Sequence, residues 1–343
     1  MEYGFHRVIE PAGVVPQAAW KLDARPALLR PTEILLHVSI LNLDSTGMAQ
    51  LKQVDRGIGE QVLDIVRERG KMHNPVSNSG GVLVGSVQEI GPAVGTGFTP
   101  RVGDTIIPLV STSTLPLHLD AVKRVRGDQL SVEGTAVLFD GMAYTPPPSD
   151  IALPVALSIL DISSIVPQVH RHTEPGQTVL VIGAGKSGAT AMAAIREVAA
   201  DARIIALDPD PLRLDRMVTL GLADSVIEGD ATLPEKALET VSDATSGALC
   251  DLVLNCVNVA DTEATSILCA RRNGTVVFYS MATRFDRAAL GTDATDNDVR
   301  LVIGNGIADR QAELTLDLFR KREGLLAYFE ECMGSPGESP GSE

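Results

Sequence analysis

The stretch that most constrains the fold of this chain is residues 178–208. An apolar run at 178–182, rich in β-branched residues, leads into a glycine-rich turn, and an alanine-rich run suited to a helix follows. A second apolar run then ends in Asp208. Strand, turn, helix, strand and terminal carboxylate, in that order, are typical of a dinucleotide-binding unit. The turn has the G-x-G-x-x-G pattern and consists of Gly183, Ala184, Gly185, Lys186, Ser187 and Gly188.

The glycines of this turn have distinct physical roles in such a site. Gly183 allows the tight turn, Gly185 lets the main chain approach the pyrophosphate, and Gly188 lets the helix pack closely on the strand. A helix that begins near Lys186 directs free N–H groups and the positive end of its dipole at the phosphates. We therefore predict that the turn binds a dinucleotide. The alternative is an ordinary strand–turn–helix whose small residues serve packing.

Asp208 bears on which dinucleotide binds. At the end of the second strand, a carboxylate accepts hydrogen bonds from the adenosine ribose and repels a 2′-phosphate, which favours NAD over NADP. Arg213 and Arg216 follow closely and could weaken that preference, so NADP remains an alternative cofactor.

The pattern of the sequence changes near residue 150. Residues 1–150 hold short strand-like runs separated by Gly and Pro, with helical spacing of apolar residues at 59–69, and predict a β-rich domain. Residues 151–171 are predicted to form a connecting helix that is interrupted at Pro167. Residues 151–333, which include this connector, are predicted to form the second domain.

From residue 177 strands and helices alternate, which predicts a doubly wound parallel sheet of the α/β class. The tail 334–343 is rich in Gly, Pro and Ser and is predicted to be disordered. The predicted strands are 178–182, 203–207, 224–228, 251–257, 274–280 and 300–304. The predicted helices are 186–200, 211–220, 233–246, 261–271 and 309–331.

Charge and composition exclude several classes of function. A net charge of −15 argues against binding to nucleic acid or to anionic membranes. No signal peptide is visible, and the apolar segment 151–160 is too short to cross a bilayer. The four cysteines have no C-x-x-C spacing, which indicates free thiols in a reducing cytoplasm.

A dinucleotide domain that follows a β-rich half is the layout of the medium-chain dehydrogenase/reductase superfamily, and two stretches resemble that superfamily. Residues 81–104 are similar to its N-terminal GroES-like barrel, and residues 174–185 are similar to the entry into its Rossmann cofactor domain. The resemblance implies a GroES-like domain over 1–150 and a homodimer or homotetramer.

The zinc ligands of that superfamily are replaced in this chain. Asp44 stands at the first ligand position, Gly80-Gly81-Val82 replaces Gly-His-Glu, and the third position falls near Asp161. Zinc sites usually include His or Cys, so we expect no metal. Two carboxylates remain, and they suit a cationic substrate. For each, the alternative is that Asp44 caps a turn and that Asp161 faces solvent or caps a helix.

Longer stretches resemble one family, the L-erythro-3,5-diaminohexanoate dehydrogenases. The resemblance implies an NAD(P)-dependent amine dehydrogenase of lysine degradation, which converts the diamino acid to 5-amino-3-oxohexanoate and ammonia. The stretches that carry the resemblance are 3–11, 68–75, 255–259, 278–283, 288–291, 302–306 and 312–313.

This chemistry needs a base, because hydride can leave C3 only when the amine on C3 is neutral. Asp161 or Asp44 could take the proton of the C3 ammonium, or hold the distant C5 ammonium as a counter-ion. Lys71 is the predicted partner of the substrate carboxylate, with Asn74 as a hydrogen-bond partner, and Arg284 is the alternative. A solvated loop charge is the other interpretation of Lys71.

The nicotinamide half of the cofactor is predicted to lie beside Asn255, Val257 and Ser280, at the carboxyl ends of later strands. Packing or turn roles are the alternative for all three. Two other functions fit the same fold: a zinc-free quinone or enoyl reductase, and a non-catalytic dinucleotide-sensing protein.

Overall fold

The computed structural model describes residues 3–75, 78–293, 295 and 297–333. The predicted disordered tail at 334–343 lies outside the described residues. Two compact units are present: described residues up to Asp161 together with 330–333 form unit 1, and Ile162–Phe329 form unit 2.

Unit 1 is built on an antiparallel six-stranded sheet with the order β6-β7-β3-β4-β5-β8, beside a small sheet of β1 and β2. Its long central strands bury Leu, Ile and Val on one face, and α1 and α2 cover part of that core. The strands are β1 (Val8–Glu10), β2 (Lys21–Leu22), β3 (Glu33–Leu43), β4 (Gly81–Ile90), β5 (Thr105–Pro108), β6 (Leu117–Arg126), β7 (Gln129–Phe139) and β8 (Tyr144–Thr145). The helices are α1 (Ser45–Lys52), α2 (Ile58–Arg69) and α3 (Leu153–Leu160).

Unit 2 is a parallel six-stranded sheet with the order β11-β10-β9-β12-β13-β14, which is the doubly wound Rossmann order. Its strands are β9 (Thr178–Ile182), β10 (Arg203–Asp208), β11 (Ser225–Glu228), β12 (Cys250–Asn255), β13 (Ala270–Phe278) and β14 (Arg300–Ile303). The remaining helices are α4 (Ile165–His172), α5 (Lys186–Val198), α6 (Pro211–Thr219), α7 (Pro234–Ala244), α8 (Glu263–Leu268), α9 (Phe285–Asp293), α10 (Gln311–Lys321) and α11 (Glu323–Cys332). The six predicted strands and the α/β class are confirmed.

Several predicted helix boundaries are wrong. The connecting helix breaks at 161–164 and not at Pro167, which is the third residue of α4. A proline is tolerated there because the first N–H groups of a helix have no intrahelical partner. The predicted helix 309–331 is two helices, since Arg322 adopts φ −128° and ψ 78°.

The helices of the part of the chain that the structure describes are short. There, no single helix is both long and apolar enough to cross a bilayer; α3 and α4 reach that threshold only when taken together.

Candidate active site

The glycine-rich turn lies at the carboxyl end of β9, and Gly185 is the N-cap residue of α5. A Cβ on Gly188 would lie 1.8 Å from the carbonyl oxygen of Gly183, so only glycine permits this close approach. A Cβ on Gly185 would meet no atom within 4 Å. Open space over Gly185, beside the first N–H groups of α5, fits the phosphates of a dinucleotide.

Asp208, the last residue of β10, is only 3% exposed. Its Oδ2 accepts the Ala184 N–H at 2.7 Å and its Oδ1 accepts the Asp210 N–H at 2.9 Å. The carboxylate therefore fixes the main chain of the glycine turn. A carboxylate oxygen can accept more than one hydrogen bond, so the predicted contact with the ribose is compatible with these bonds and stays a prediction.

Arg213 and Arg216, the basic residues that follow Asp208, have different neighbours. The Nε atom of Arg213 lies 3.3 Å from Oδ2 of Asp210, which also caps α6 by accepting the Leu212 N–H. The guanidinium of Arg216 lies 5.9 Å from the ring centre of Tyr328.

Asn255 ends β12 and is buried. Its Nδ2 donates to Oγ1 of Thr262 at 2.8 Å and to Oγ of Ser266 at 2.9 Å. Its Oδ1 accepts the Val257 N–H at 3.3 Å. Asn255 thus orients the loop that follows β12.

Ser280 follows β13, which pairs with β12, so the two strands bring Ser280 and Asn255 to the same edge of the sheet. The Ser280 hydroxyl donates to Oδ1 of Asn258 at 2.9 Å and accepts the Ala282 N–H at 3.0 Å. With the glycine turn, these loops line the carboxyl edge where the strand order reverses, which is where ligands of such sheets bind.

In unit 1, Asp44 lies at the end of β3 and caps α1, a helix that the sequence analysis did not predict. Its Oδ1 accepts the Gly47 N–H at 2.8 Å, and its Oδ2 accepts the Ser79 hydroxyl at 2.6 Å. The capping role that was the alternative for Asp44 is therefore present. A catalytic role is compatible with it and stays a prediction.

Asn74 belongs to the same cluster. It is buried, and its Nδ2 donates to the carbonyl oxygen of Gly47 at 3.3 Å. A Cβ on Gly47 would meet both the Asp44 carboxylate and the Asn74 amide. The structure thus brings together two of the four predicted catalytic residues, Asp44 and Asn74, around one helix start.

Lys71 is fully buried, so its alternative interpretation as a solvated loop charge is wrong. Its Nζ donates to the carbonyl oxygens of Pro16 at 2.7 Å and Gln17 at 3.1 Å. Burial lowers the pKa of its ammonium to about 8, and the nearby charge of Arg69 acts in the same direction. The predicted bond to a substrate carboxylate would have to use the third N–H of this ammonium.

The depressed pKa of Lys71 predicts a pH-dependent stability. Between about pH 8 and its ordinary pKa of 10.5, the unfolded chain binds this proton and the folded chain does not, so stability rises with pH across that window. We expect the free energy of unfolding to gain about 2 kcal/mol relative to Lys71→Met between about pH 7 and pH 10, measured by urea unfolding.

Lys52→Met, at an exposed lysine of α1, is the matched control and should keep the pH dependence of the unaltered protein. Parallel curves for the unaltered protein and Lys71→Met would show that the Lys71 proton is not lost on folding.

His73 is also buried. Burial, together with the charges of Lys71 and Arg69, lowers its pKa to about 4, so the ring is neutral near pH 7. Nη1 of Arg69 lies 3.3 Å from Nδ1 of His73 and donates to its carbonyl oxygen at 3.1 Å. The Arg69 guanidinium stacks 3.7 Å over the ring of Trp20. These contacts order the loop that precedes Asn74.

Asp161 and Arg284, the other two residues predicted to bind substrate, differ in their exposure to solvent. Asp161 is the half-buried C-cap residue of α3, and its N–H bonds to the carbonyl oxygen of Leu157 at 3.0 Å. The exposed Arg284 donates to Asp286, and its main-chain N–H donates to the buried Glu263.

Two family models match the chain. Residues 6–148 match the N-terminal domain of L-erythro-3,5-diaminohexanoate dehydrogenase, and residues 187–298 match a model described as zinc-binding dehydrogenase. An L-erythro-3,5-diaminohexanoate dehydrogenase of Acetoanaerobium sticklandii is 38% identical over 338 residues, which cover 96% of this chain and 98% of that protein. This chain belongs to the L-erythro-3,5-diaminohexanoate dehydrogenase family.

A second member of that dehydrogenase family, from Fusobacterium nucleatum, is 35% identical over 96% of this chain and 98% of its own length. The family places the chain among the dehydrogenases that use a nicotinamide cofactor, and the predicted resemblance is confirmed.

Solved structures agree with the fold. A zinc-dependent alcohol dehydrogenase 2 from Streptococcus pneumonia aligns with a TM-score of 0.54 at 18% identity, over 90% of this chain and 88% of that one. A mycobacterial protein solved with NADPH aligns with a TM-score of 0.55 at 16% identity, over 90% of each chain. The GroES-like and Rossmann architecture is confirmed.

The acidic, histidine and cysteine side chains of the described part of the chain are dispersed. No three His, Cys, Asp or Glu side chains there are grouped so that they could hold an ion. The expectation of a zinc-free site stays a prediction.

Ser79 is the residue that sequence reasoning missed. Leu43 pairs with Gly81 in the antiparallel β3–β4 ladder, so the residue after β3 lies opposite the residues just before β4. That register brings Ser79 to Asp44 across 35 residues of sequence. Recognising that the strand-like runs at 33–40 and 81–90 pair with each other would have placed Ser79 near Asp44.

Proposed function

We propose that this chain catalyses the NAD-dependent oxidative deamination of L-erythro-3,5-diaminohexanoate to 5-amino-3-oxohexanoate and ammonia, acting on the CH–NH2 group at C3. The observation that carries the proposal is the similarity, over 96% of the chain, to two enzymes of that name. A zinc-free site, a cytoplasmic location and a homodimer or homotetramer belong to the same proposal.

Cofactor binding is assigned to unit 2. The glycine turn, whose Gly185 is open, would hold the pyrophosphate, and the loops of Asn255, Val257 and Ser280 would hold the nicotinamide half. The bound nicotinamide supplies a hydride acceptor. The buried negative charge of Asp208 supports NAD as the preferred form.

Proton removal is assigned to unit 1. The C3 ammonium must lose a proton before hydride can leave C3, and we assign that proton to Asp44. Asp44 is half-buried and held by Gly47 and Ser79, so its position is fixed before substrate arrives. Asp161 then serves as the counter-ion of the C5 ammonium.

After hydride loss, water attacks the C3 iminium and ammonia leaves, which gives the ketone. A carboxylate that took the first proton can return it to the departing nitrogen, because proton transfer is reversible along the same path. Lys71 and Asn74 are the proposed partners of the substrate carboxylate.

The test is a substrate and cofactor panel with the purified full-length chain at about pH 8.5, where more of the amine is neutral. We expect NADH formation from L-erythro-3,5-diaminohexanoate, with kcat/KM about tenfold higher for NAD⁺ than for NADP⁺ because of Asp208. Reduction of quinones or enones by NADPH, without amine oxidation, would contradict the proposal. Binding of NADH with no turnover of any substrate would indicate a sensing protein.

A further inference from the structure

Each oxygen of the Asp44 carboxylate accepts a hydrogen bond. Oδ1 accepts the Gly47 N–H and so caps the N-terminus of α1. Oδ2 accepts the hydroxyl of Ser79 at 2.6 Å, a short distance typical of a hydroxyl bonded to a charged oxygen. A proton that travels to Oδ2 along this bond comes from Ser79.

The position of Ser79 is set by its main chain. Its carbonyl oxygen accepts the Asn74 N–H at 2.8 Å, and the Asn78 N–H donates to the carbonyl oxygen of Asn74 at 3.0 Å. Two residues further, Gly81 pairs with Leu43 in the β3–β4 ladder. These bonds hold the chain on both sides of Ser79, which is 7% exposed.

The chemistry of a serine hydroxyl suits a relay at this place. A hydroxyl has one donor hydrogen and two acceptor lone pairs, so it can accept a proton from one side while it donates its own to the other. The donor hydrogen of Ser79 is directed at Asp44, and a hydroxyl oxygen, which has two lone pairs, can also accept a hydrogen bond from an ammonium. The carboxylate meanwhile stays in place as the cap of α1, whose positive dipole end stabilises its charge.

We infer that Ser79 is a further catalytic residue, which relays the proton of the C3 ammonium to Asp44; the inference rests on the proposed function. An N–H bond of the ammonium breaks as an O–H bond forms on Ser79. The original O–H bond of Ser79 breaks as an O–H bond forms on Oδ2 of Asp44. Ser79 ends as a neutral hydroxyl, Asp44 is protonated, and the C3 amine has the lone pair that drives hydride loss.

The test compares Ser79→Ala with Ser79→Thr, which retains a hydroxyl, in full-length protein with NAD⁺ and L-erythro-3,5-diaminohexanoate. We expect Ser79→Ala to lower kcat about 100-fold, in the range of proton-transfer catalysis, with the KM of the diamino acid within about threefold. Ser79→Thr should regain at least about a tenth of the activity.

The matched control is Ser45→Ala. Ser45 adjoins Asp44, and its hydroxyl donates to a different carboxylate, Oδ2 of Asp128, at 3.1 Å. It should leave kcat unchanged within about twofold, since the proton path does not include it. The double variant Ser79→Ala with Asp44→Asn should lose little more activity than Asp44→Asn alone, because residues of one relay act as a unit.

A kcat of Ser79→Ala within threefold of the unaltered protein would overturn the relay and leave the proposed function standing. Equal losses of kcat in Ser79→Ala and Ser45→Ala would overturn it as well. Absence of amine oxidation in the unaltered protein, with NADH still bound, would overturn the function and the relay together. If Ser79→Ala does not fold, Ser79→Gly, which also lacks a hydroxyl, should show the same loss of kcat.

Discussion

Asp44→Asn is expected to lower kcat by about 10²- to 10⁴-fold, the range found for removal of a general base. Asparagine caps helices as well as aspartate does. Its Oδ1 can still accept the Gly47 N–H, so α1 should begin at the same residue. The amide then presents N–H to Ser79 and can no longer take a proton. The melting temperature should therefore change by no more than about 2 °C, while the steady-state rate of NADH formation falls by the factor given above.

The same substitution at Asp161 separates the two carboxylates. If Asp161 holds the C5 ammonium, Asp161→Asn should raise the KM of the diamino acid more than it lowers kcat, because binding is lost and the proton path is kept. The reverse pattern, with kcat unaffected in Asp44→Asn and abolished in Asp161→Asn, would move the base to Asp161 and leave Asp44 as a helix cap.

Gly188→Ala is expected to damage both the fold of unit 2 and cofactor binding. Its Cβ would lie 1.8 Å from the main-chain oxygen of Gly183, and a main-chain atom cannot move away as a flexible side chain can. We expect a loss of about 3 kcal/mol of stability from overpacking. NADH affinity should fall by at least about 100-fold, as the turn that presents N–H groups to the phosphates is displaced.

Gly185→Ala is the matched variant for that prediction. A Cβ there meets no protein atom within 4 Å, and the N-cap backbone has a negative φ, so the fold should tolerate alanine. Its methyl group would occupy the space that the pyrophosphate needs, so NADH affinity should fall about tenfold or more at an unchanged melting temperature. Unchanged NADH binding in Gly185→Ala, measured by nucleotide fluorescence, would contradict placement of the phosphates over this turn.

Much of unit 2 could be predicted from the sequence because its signals are local. The glycine turn, the apolar strands and Asp208 lie within 31 residues, counted from 178 to 208. Parallel strands that are buried on both faces are continuous apolar runs, and these are visible without any knowledge of their neighbours. The usual right-handed crossovers then limit the possible strand orders to a few.

The candidate site of unit 1 depends on contacts between distant residues, which a local pattern does not contain. Asp44 meets Ser79 through the register of β3 and β4, and Lys71 meets residues 16–17 across more than 50 positions of sequence. A lysine in a polar loop is usually solvated, so nothing nearby indicates its burial. Helix α1 was missed because its eight residues include Ser, Thr and Gly, which favour turns.

The measurement that tests the central claim most directly is the ratio of NADH to ammonia formed from L-erythro-3,5-diaminohexanoate by the purified chain. Oxidative deamination predicts one ammonia for each NADH, with the 3-oxo product detected by mass spectrometry and both products abolished together in Asp44→Asn. NADH formed without ammonia would mean that the chain oxidises a different bond. Neither product, from protein that binds NADH, would contradict amine oxidation altogether.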